Sequence, residues 1–151
     1  MKTLDATAKG VYLITVTPFT DSGALDLPST DRMVDFCLDA GVTGLTVLGI
    51  MGEATKLTAE ESRTYVKQVL ARVAGRVPVV VGASAAGFAP MKELTQSVMD
   101  LGASGVMVPY VNTAAEARAA GAGAGETGAV GAPPAAGAVV VVGALEFAAG
   151  G

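Results

Sequence analysis

The first 112 residues predict an α/β chain with a parallel sheet, on three grounds. The candidate strands are apolar at consecutive rather than alternate positions, the pattern of a sheet covered on both faces. One amphipathic segment separates each strand from the next. The stretch Asp39-Ala40-Gly41-Val42-Thr43-Gly44-Leu45-Thr46-Val47 is echoed 61 residues later by Asp100-Leu101-Gly102-Ala103-Ser104-Gly105-Val106-Met107-Val108. That offset is two units of about 30 residues, the length of a strand, a helix and their turns.

Each element has its own local reason. Val11 to Val16 is rich in β-branched residues and stops at Thr17-Pro18, where a helix could not continue without strain. From Ser29 or Thr30 the apolar residues Met33, Val34, Cys37 and Leu38 recur at helical spacing until Gly41. Leu45 to Gly49 reads as the second strand. Thr58 with Glu61 three positions on makes a capping box, and Val66, Val69, Leu70 and Val73 line one face of a helix that Gly75 ends. Val77 to Val81 is the third strand. Pro90 suits a first helical turn, and Met91, Leu94, Val98 and Leu101 form a stripe ended by Gly102, after which Val106 to Val108 begins the fourth strand.

The composition then changes. Residues 114–151 hold 15 Ala and 9 Gly in 38 positions, with Glu116, Arg118, Glu126 and Glu146 the only charges. Apart from the Val139 to Val142 run no period organises this tail, and Gly at such density opposes the helix that Ala favours. Disorder or poor packing is the expectation. Two origins fit: a natural low-complexity tail, or a reading-frame shift in a GC-rich gene. The change in mid-fold favours the second.

Composition excludes several functions. The chain has 151 residues, 51% hydrophobic and 16% charged, with a mean hydropathy of +0.52, enough for one domain with one core. It has no His and a single Cys, so His-based triads, His or Cys-cluster metal sites and internal disulfides are unavailable. A net charge of −4 with no dense basic run argues against nucleic acid. The stretch between Glu126 and Glu146 is uncharged, but Pro133-Pro134 breaks it and the Val run is too short to cross a bilayer. Residues 1–10 carry Asp5 and Lys9 and no apolar core of a signal peptide, so the expected location is cytoplasmic.

In a βα protein the chemistry sits where strands run out at their carboxyl ends. The turn Gly49-Ile50-Met51-Gly52-Glu53 has two glycines around a tight bend, and its N–H groups either hold a carboxylate or phosphate or belong to a plain strand-to-helix turn. Gly82-Ala83-Ser84-Ala85-Ala86-Gly87 is followed by Phe88-Ala89, so it is no phosphate-binding loop of the Gly-Lys-Ser/Thr kind. Glu53 reads either as an acid or base or as a carboxylate satisfying backbone donors of the next segment, the usual role of first-turn acids. Tyr110 reads either as a proton relay or as a ring packed over the sheet end. Cys37 and the methionines at 33, 91 and 99 read as core filling. Lys2, Lys9, Lys56, Lys67 and Lys92 all read as solvated, whereas an imine-forming lysine needs an apolar pocket.

Taken jointly, Thr17-Pro18-Phe19, Asp21-Ser22-Gly23-Ala24-Leu25-Asp26, Gly41-Val42-Thr43-Gly44, Leu48 to Glu53, Leu57-Thr58-Ala59-Glu60-Glu61, Arg76-Val77-Pro78-Val79 and Pro109-Tyr110-Val111-Asn112 give a resemblance in order and spacing. The chain resembles the N-terminal part of the dihydrodipicolinate synthase and N-acetylneuraminate lyase family, class I pyruvate aldolases. The resemblance implies the N-terminal half of a (β/α)₈ barrel, about four βα units over residues 1–113, followed by the low-complexity tail over 114–151. It implies a 2-oxo acid substrate handled through a Schiff base, with no cofactor and no metal. Carried over residue by residue, Thr17, Ile50, Met51 and Gly52 fall at substrate-binding positions, Gly49 and Glu53 at structural ones and Tyr110 at a catalytic one.

Three departures qualify the resemblance. The family places hydroxyl residues at the two middle positions of the turn, where this chain has Ile50 and Met51. Its second loop tyrosine is Val111 here, after a strand two residues shorter. Its catalytic tyrosine and imine-forming lysine lie on later strands, past the point where this sequence becomes Ala and Gly. The chain as written is therefore expected to be inactive, with a substrate other than that of the lysine pathway in its relatives. Four strands leave open edges, so self-association or aggregation is expected. Two further readings stand beside this one: a half-barrel that self-associates without catalysis, and a small anion-binding doubly wound domain whose strand order reverses in mid-sheet.

Overall fold

The computed structural model describes residues 4, 8–85, 87–108 and 140–143. Its elements run β1 (Tyr12–Ile14), α1 (Leu27–Asp39), β2 (Gly44–Val47), a 3₁₀ turn (Ala54–Lys56), α2 (Ala59–Val73), β3 (Val79–Gly82), α3 (Phe88–Asp100), β4 (Gly105–Val108) and β5 (Val140–Gly143). β1 to β4 pair in chain order and in parallel, each step crossing through a helix. That order has no reversal, which sets the doubly wound alternative aside.

Helix boundaries follow local chemistry. α1 starts at Leu27, earlier than the apolar stripe suggests, because the Asp26 carboxylate accepts from the Ser29 N–H at 3.0 Å and Pro28 occupies the first turn. The capping box at α2 is complete: Glu61 N–H donates to Thr58 Oγ1 at 3.1 Å and Thr58 N–H to Glu61 Oε2 at 2.8 Å. Asp35 receives Arg72 Nε at 2.8 Å and Asp31 receives Gln68 Nε2 at 2.7 Å, which tie α1 to α2.

Strand register assigns the two faces of the sheet. Leu13, Leu45 and Val79 form one cross-strand row. Leu45, Val47, Val79, Val81, Val106 and Val108 face the helices and pack with Val34, Val66, Val69 and Val98 in one buried cluster. Ile14, Thr46, Val80 and Gly105 form the neighbouring row, which alternation puts on the opposite face. The sheet curls hard toward that side. A methyl group on Gly49 would touch Ile14 Cγ2 of β1 and Met107 Cε of β4, each at 3.5 Å, although β2 and β3 lie between those strands.

The sheet does not end at β4. Val140–Gly143 pairs antiparallel with Gly105–Val108, which the sequence reading did not foresee although it marked the Val139 to Val142 run. Its partner strand lies more than 30 residues back, and no local pattern encodes such a pairing. The rest of the expected tail, residues 109–139 and 144–151, lies outside the described residues. Among the described residues no helix is long and apolar enough to cross a membrane.

Candidate functional site

The glycine-bracketed turn after β2 begins with an unusual backbone. Leu48 is fully buried and has φ 54°, in the left-handed region that a branched side chain rarely enters. This turns its carbonyl toward β3, where a Cβ on residue 82 would lie 2.0 Å from Leu48 O. Only glycine fits at Gly82. The chain then folds back on itself, because Gly52 N–H donates to Gly49 O at 3.0 Å and Glu53 N–H to Ile50 O at 3.1 Å. A Cβ on Gly52 would meet Leu48 N at 2.9 Å, so this glycine is fixed by the same close approach.

Two hydroxyls brace the turn from neighbouring elements. Thr17, 5% exposed, donates from Oγ1 to Gly52 O at 2.7 Å. Tyr65 of α2 donates from its buried hydroxyl to Val16 O at 2.9 Å, and burial pushes that phenol above its ordinary pKa. The first bond satisfies a carbonyl of the turn itself and the second a carbonyl just past β1. Sequence reasoning missed Tyr65, although its spacing with Val66 and Val69 put it on the inward stripe. It also missed Leu48 and Gly82, whose roles are backbone roles.

The turn presents its remaining groups outward. Ile50 is 90% exposed and Met51 56% exposed, and among the described residues neither N–H makes a hydrogen bond. Two adjacent amide donors held on a braced loop suit an anion, a carboxylate above all. Glu53 departs from expectation: it caps no backbone donor, has φ 53°, and pairs with Lys56 at 2.6 Å. The left-handed backbone at the cap position aims its side chain along the 3₁₀ turn instead of back across the N–H groups. Thr17 lies beside the turn, its hydroxyl proton engaged by the Gly52 carbonyl. Tyr110 lies outside the described residues.

Behind the 3₁₀ turn a cleft of about 260 Å³ is lined by Thr55, Ser62, Arg63, Ser84 and Glu93 among others, with Arg63 and Glu93 paired at 3.6 Å. Lys9, Lys56, Lys67 and Lys92 are exposed and Lys2 is not described. Cys37 is buried in the core, where desolvation pushes its thiol pKa up. Among the described residues no group of three or more His, Cys, Asp or Glu side chains is placed to hold a metal ion.

Comparison with known proteins matches residues 7–120 to the dihydrodipicolinate synthetase family. The chain is 41% identical over 106 residues to 4-hydroxy-tetrahydrodipicolinate synthase of Kosmotoga olearia, covering 69% of this chain and 36% of that one. Over 106 residues it is 40% identical to the Thermotoga neapolitana enzyme of the same name, with the same shares covered. Among solved structures, dihydrodipicolinate synthase from Rhodopseudomonas palustris superposes with a TM-score of 0.72 at 41% identity, over 82% of this chain and 43% of that one. A prophage protein of the family from E. coli K12, solved in complex with pyruvate, gives a TM-score of 0.69 at 31% identity over 79% and 42%. N-acetylneuraminate lyase of Proteus mirabilis, at 22% identity and a TM-score of 0.69, shares the fold. The chain spans little more than a third of the length of the curated relatives that it matches.

Proposed function

The chain belongs to the dihydrodipicolinate synthetase family, and from that premise we propose that it supplies the acid-docking end of a carbon–carbon lyase acting on pyruvate or another 2-oxo acid. The observation that carries this reading is the pair of amides at Ile50 and Met51 that have no hydrogen-bond partner among the described residues, on a turn braced by the Thr17 bond to Gly52. A carboxylate seated there accepts two N–H bonds, and its keto carbon is left beside the concave face of the sheet. Charge-assisted bonds of this kind are about twice as strong as neutral ones. Ile50 and Met51 supply no side-chain hydroxyl, so the turn binds without relaying a proton.

In this reading the chain as written docks the acid and does not capture the ketone. Imine formation needs a free amine, and a lysine loses its proton near neutral pH only in an apolar pocket or beside another cation. Lys9, Lys56, Lys67 and Lys92 stand on the surface. The cytoplasmic placement suggested by the sequence belongs to this reading as well. To test it, pyruvate is titrated into the ¹⁵N-labelled chain: the Ile50 and Met51 amide resonances shift in a saturable way. Shifts elsewhere with those two unmoved would overturn the docking assignment.

A second reading, self-association without catalysis, is favoured by β1. Ile14 is 45% exposed on this uncharged edge strand, and Val11 and Val16, which flank it, are 65% and 48% exposed. An uncharged apolar edge is a template for a second chain. Light scattering distinguishes this reading: a defined oligomer at micromolar concentration supports it, and a monomer throughout the range removes it.

A further inference from the structure

Tyr65 is fully buried in α2, and its hydroxyl reaches 49 residues back along the chain to donate to Val16 O at 2.9 Å. A phenylalanine would fill the same space with no polar atom to desolvate, so what the hydroxyl adds is the bond to that carbonyl. Val16 O shares a peptide plane with the nitrogen and Cα of Thr17, and holding the carbonyl therefore sets the direction in which Thr17 leaves the end of the strand. From the other side, Pro18 restricts Thr17 to extended backbone, and Pro18 O is itself held by the Asp26 N–H at 2.9 Å. Just before Val16, the Thr15 N–H ties the chain to Thr46 O at 2.9 Å. Thr17 is β-branched and has few χ1 positions to choose from. Its hydroxyl is aimed in this way at Gly52 O, the 2.7 Å bond that braces the docking turn.

We propose that Tyr65 is a positioning residue for the acid-docking turn: by pinning the Val16 carbonyl its hydroxyl sets where the Thr17 hydroxyl stands, and through Gly52 it sets the angle at which the Ile50 and Met51 amides meet a carboxylate. This role rests on the docking reading above and deepens it. Tyr65 acts through Thr17 and not on the acid itself. Two amides serve one carboxylate well only when both N–H groups point at it, because hydrogen bonds weaken steeply as they bend. With the tie cut, the turn spends part of its time in other arrangements, and the apparent affinity falls with the fraction that stays competent. One intramolecular bond of this kind shifts such an equilibrium about twofold to tenfold. Burial raises the phenol pKa, although the hydroxyls of Thr15 and Thr17 beside it offset part of the rise, so Tyr65 keeps its proton and remains a donor at neutral pH.

The test titrates pyruvate into the full ¹⁵N-labelled chain, its Tyr65→Phe variant and Val69→Ala, with affinity read at the Ile50 and Met51 amides. Val69 is buried on the same helix and takes no part in these bonds, so its truncation lowers stability alone. The expected result is a twofold to tenfold weaker affinity in folded Tyr65→Phe and an unchanged affinity in Val69→Ala. Equal affinity in the parent and Tyr65→Phe, or an equal loss in both variants, overturns the positioning role and leaves the docking reading standing. Should Tyr65→Phe lose its dispersed spectrum, the parent decides: the Tyr65 ring resonances are expected to move with the same saturation curve as the two amides, and ring resonances unmoved at saturation overturn the role. Absence of any shift at the two amides of the parent overturns the docking reading and the positioning role with it.

Discussion

Thr17 and Gly52, 35 residues apart, are joined by a 2.7 Å hydrogen bond from the threonine hydroxyl to the glycine carbonyl, both groups buried at the carboxyl end of the sheet. The bond fastens the end of β1 to the turn whose Ile50 and Met51 amides make no hydrogen bond among the described residues. Without it the Gly52 carbonyl would be buried with no partner, and the turn would lose its anchor to the neighbouring strand.

Thr17→Val keeps the shape and removes the donor. Leaving a buried acceptor unsatisfied costs about 1–3 kcal/mol, so urea unfolding is expected to show a loss in that range. Hydrogen exchange at Gly52 and Glu53 should accelerate by more than the global loss explains, because the turn is released locally. Unchanged exchange at those two amides would mean that the Thr17 bond does not hold the turn.

Gly82→Ala probes the backbone side of the same assembly. The new methyl would stand 2.0 Å from Leu48 O, and that atom belongs to a buried residue already in a left-handed conformation. Relief requires the turn or β3 to move. A destabilisation at or above the upper end of the usual overpacking range, about 3 kcal/mol, is expected in denaturant melts. A variant as stable as the parent would show that Leu48 does not hold this conformation.

Acid should weaken the fold from its helix starts and from the α1–α2 contact. The Ser29 hydroxyl and N–H lower the pKa of Asp26, Arg72 lowers that of Asp35, and the Thr58 N–H and hydroxyl lower that of Glu61. A depressed folded-state pKa gives stability that is present above the unfolded value, about 4, and is lost as pH falls through the folded value. Stability is therefore expected to be level near neutrality and to decline below about pH 4. All three groups are solvent-accessible, so each contribution is small and screened by salt. In Glu61→Gln the amide still reaches the Thr58 N–H but no longer titrates, so the acid decline becomes shallower. An identical acid limb in parent and variant would contradict the assignment.

The parts of this molecule written in short-range pattern were legible before any coordinates. The Thr58 and Glu61 box, the glycines after α1 and α2, and the four apolar runs are each determined within a few residues. Their parallel order followed from having one helix between successive strands. The start of α1 was misplaced because the reading followed the apolar stripe from Met33 and passed over Asp26, whose cap for Ser29 is polar. The turn was found as a motif, but its architecture was not. Leu48 meets Gly82 through a backbone carbonyl, and Tyr65 meets Val16 across 49 residues, and neither contact leaves a local signature. Glu53 was misread for a related reason: its left-handed φ is imposed by the tight return through Gly52, and this redirects the carboxylate to Lys56.

On the proposed function, Lys9, Lys56, Lys67 and Lys92, exposed as they are, do not condense with a docked 2-oxo acid. Intact-mass spectrometry after incubation with pyruvate and borohydride tests that claim most directly. The expected spectrum shows the unmodified mass alone, under conditions in which pyruvate still perturbs the Ile50 and Met51 amides. A stable adduct mapping to a single lysine would contradict it.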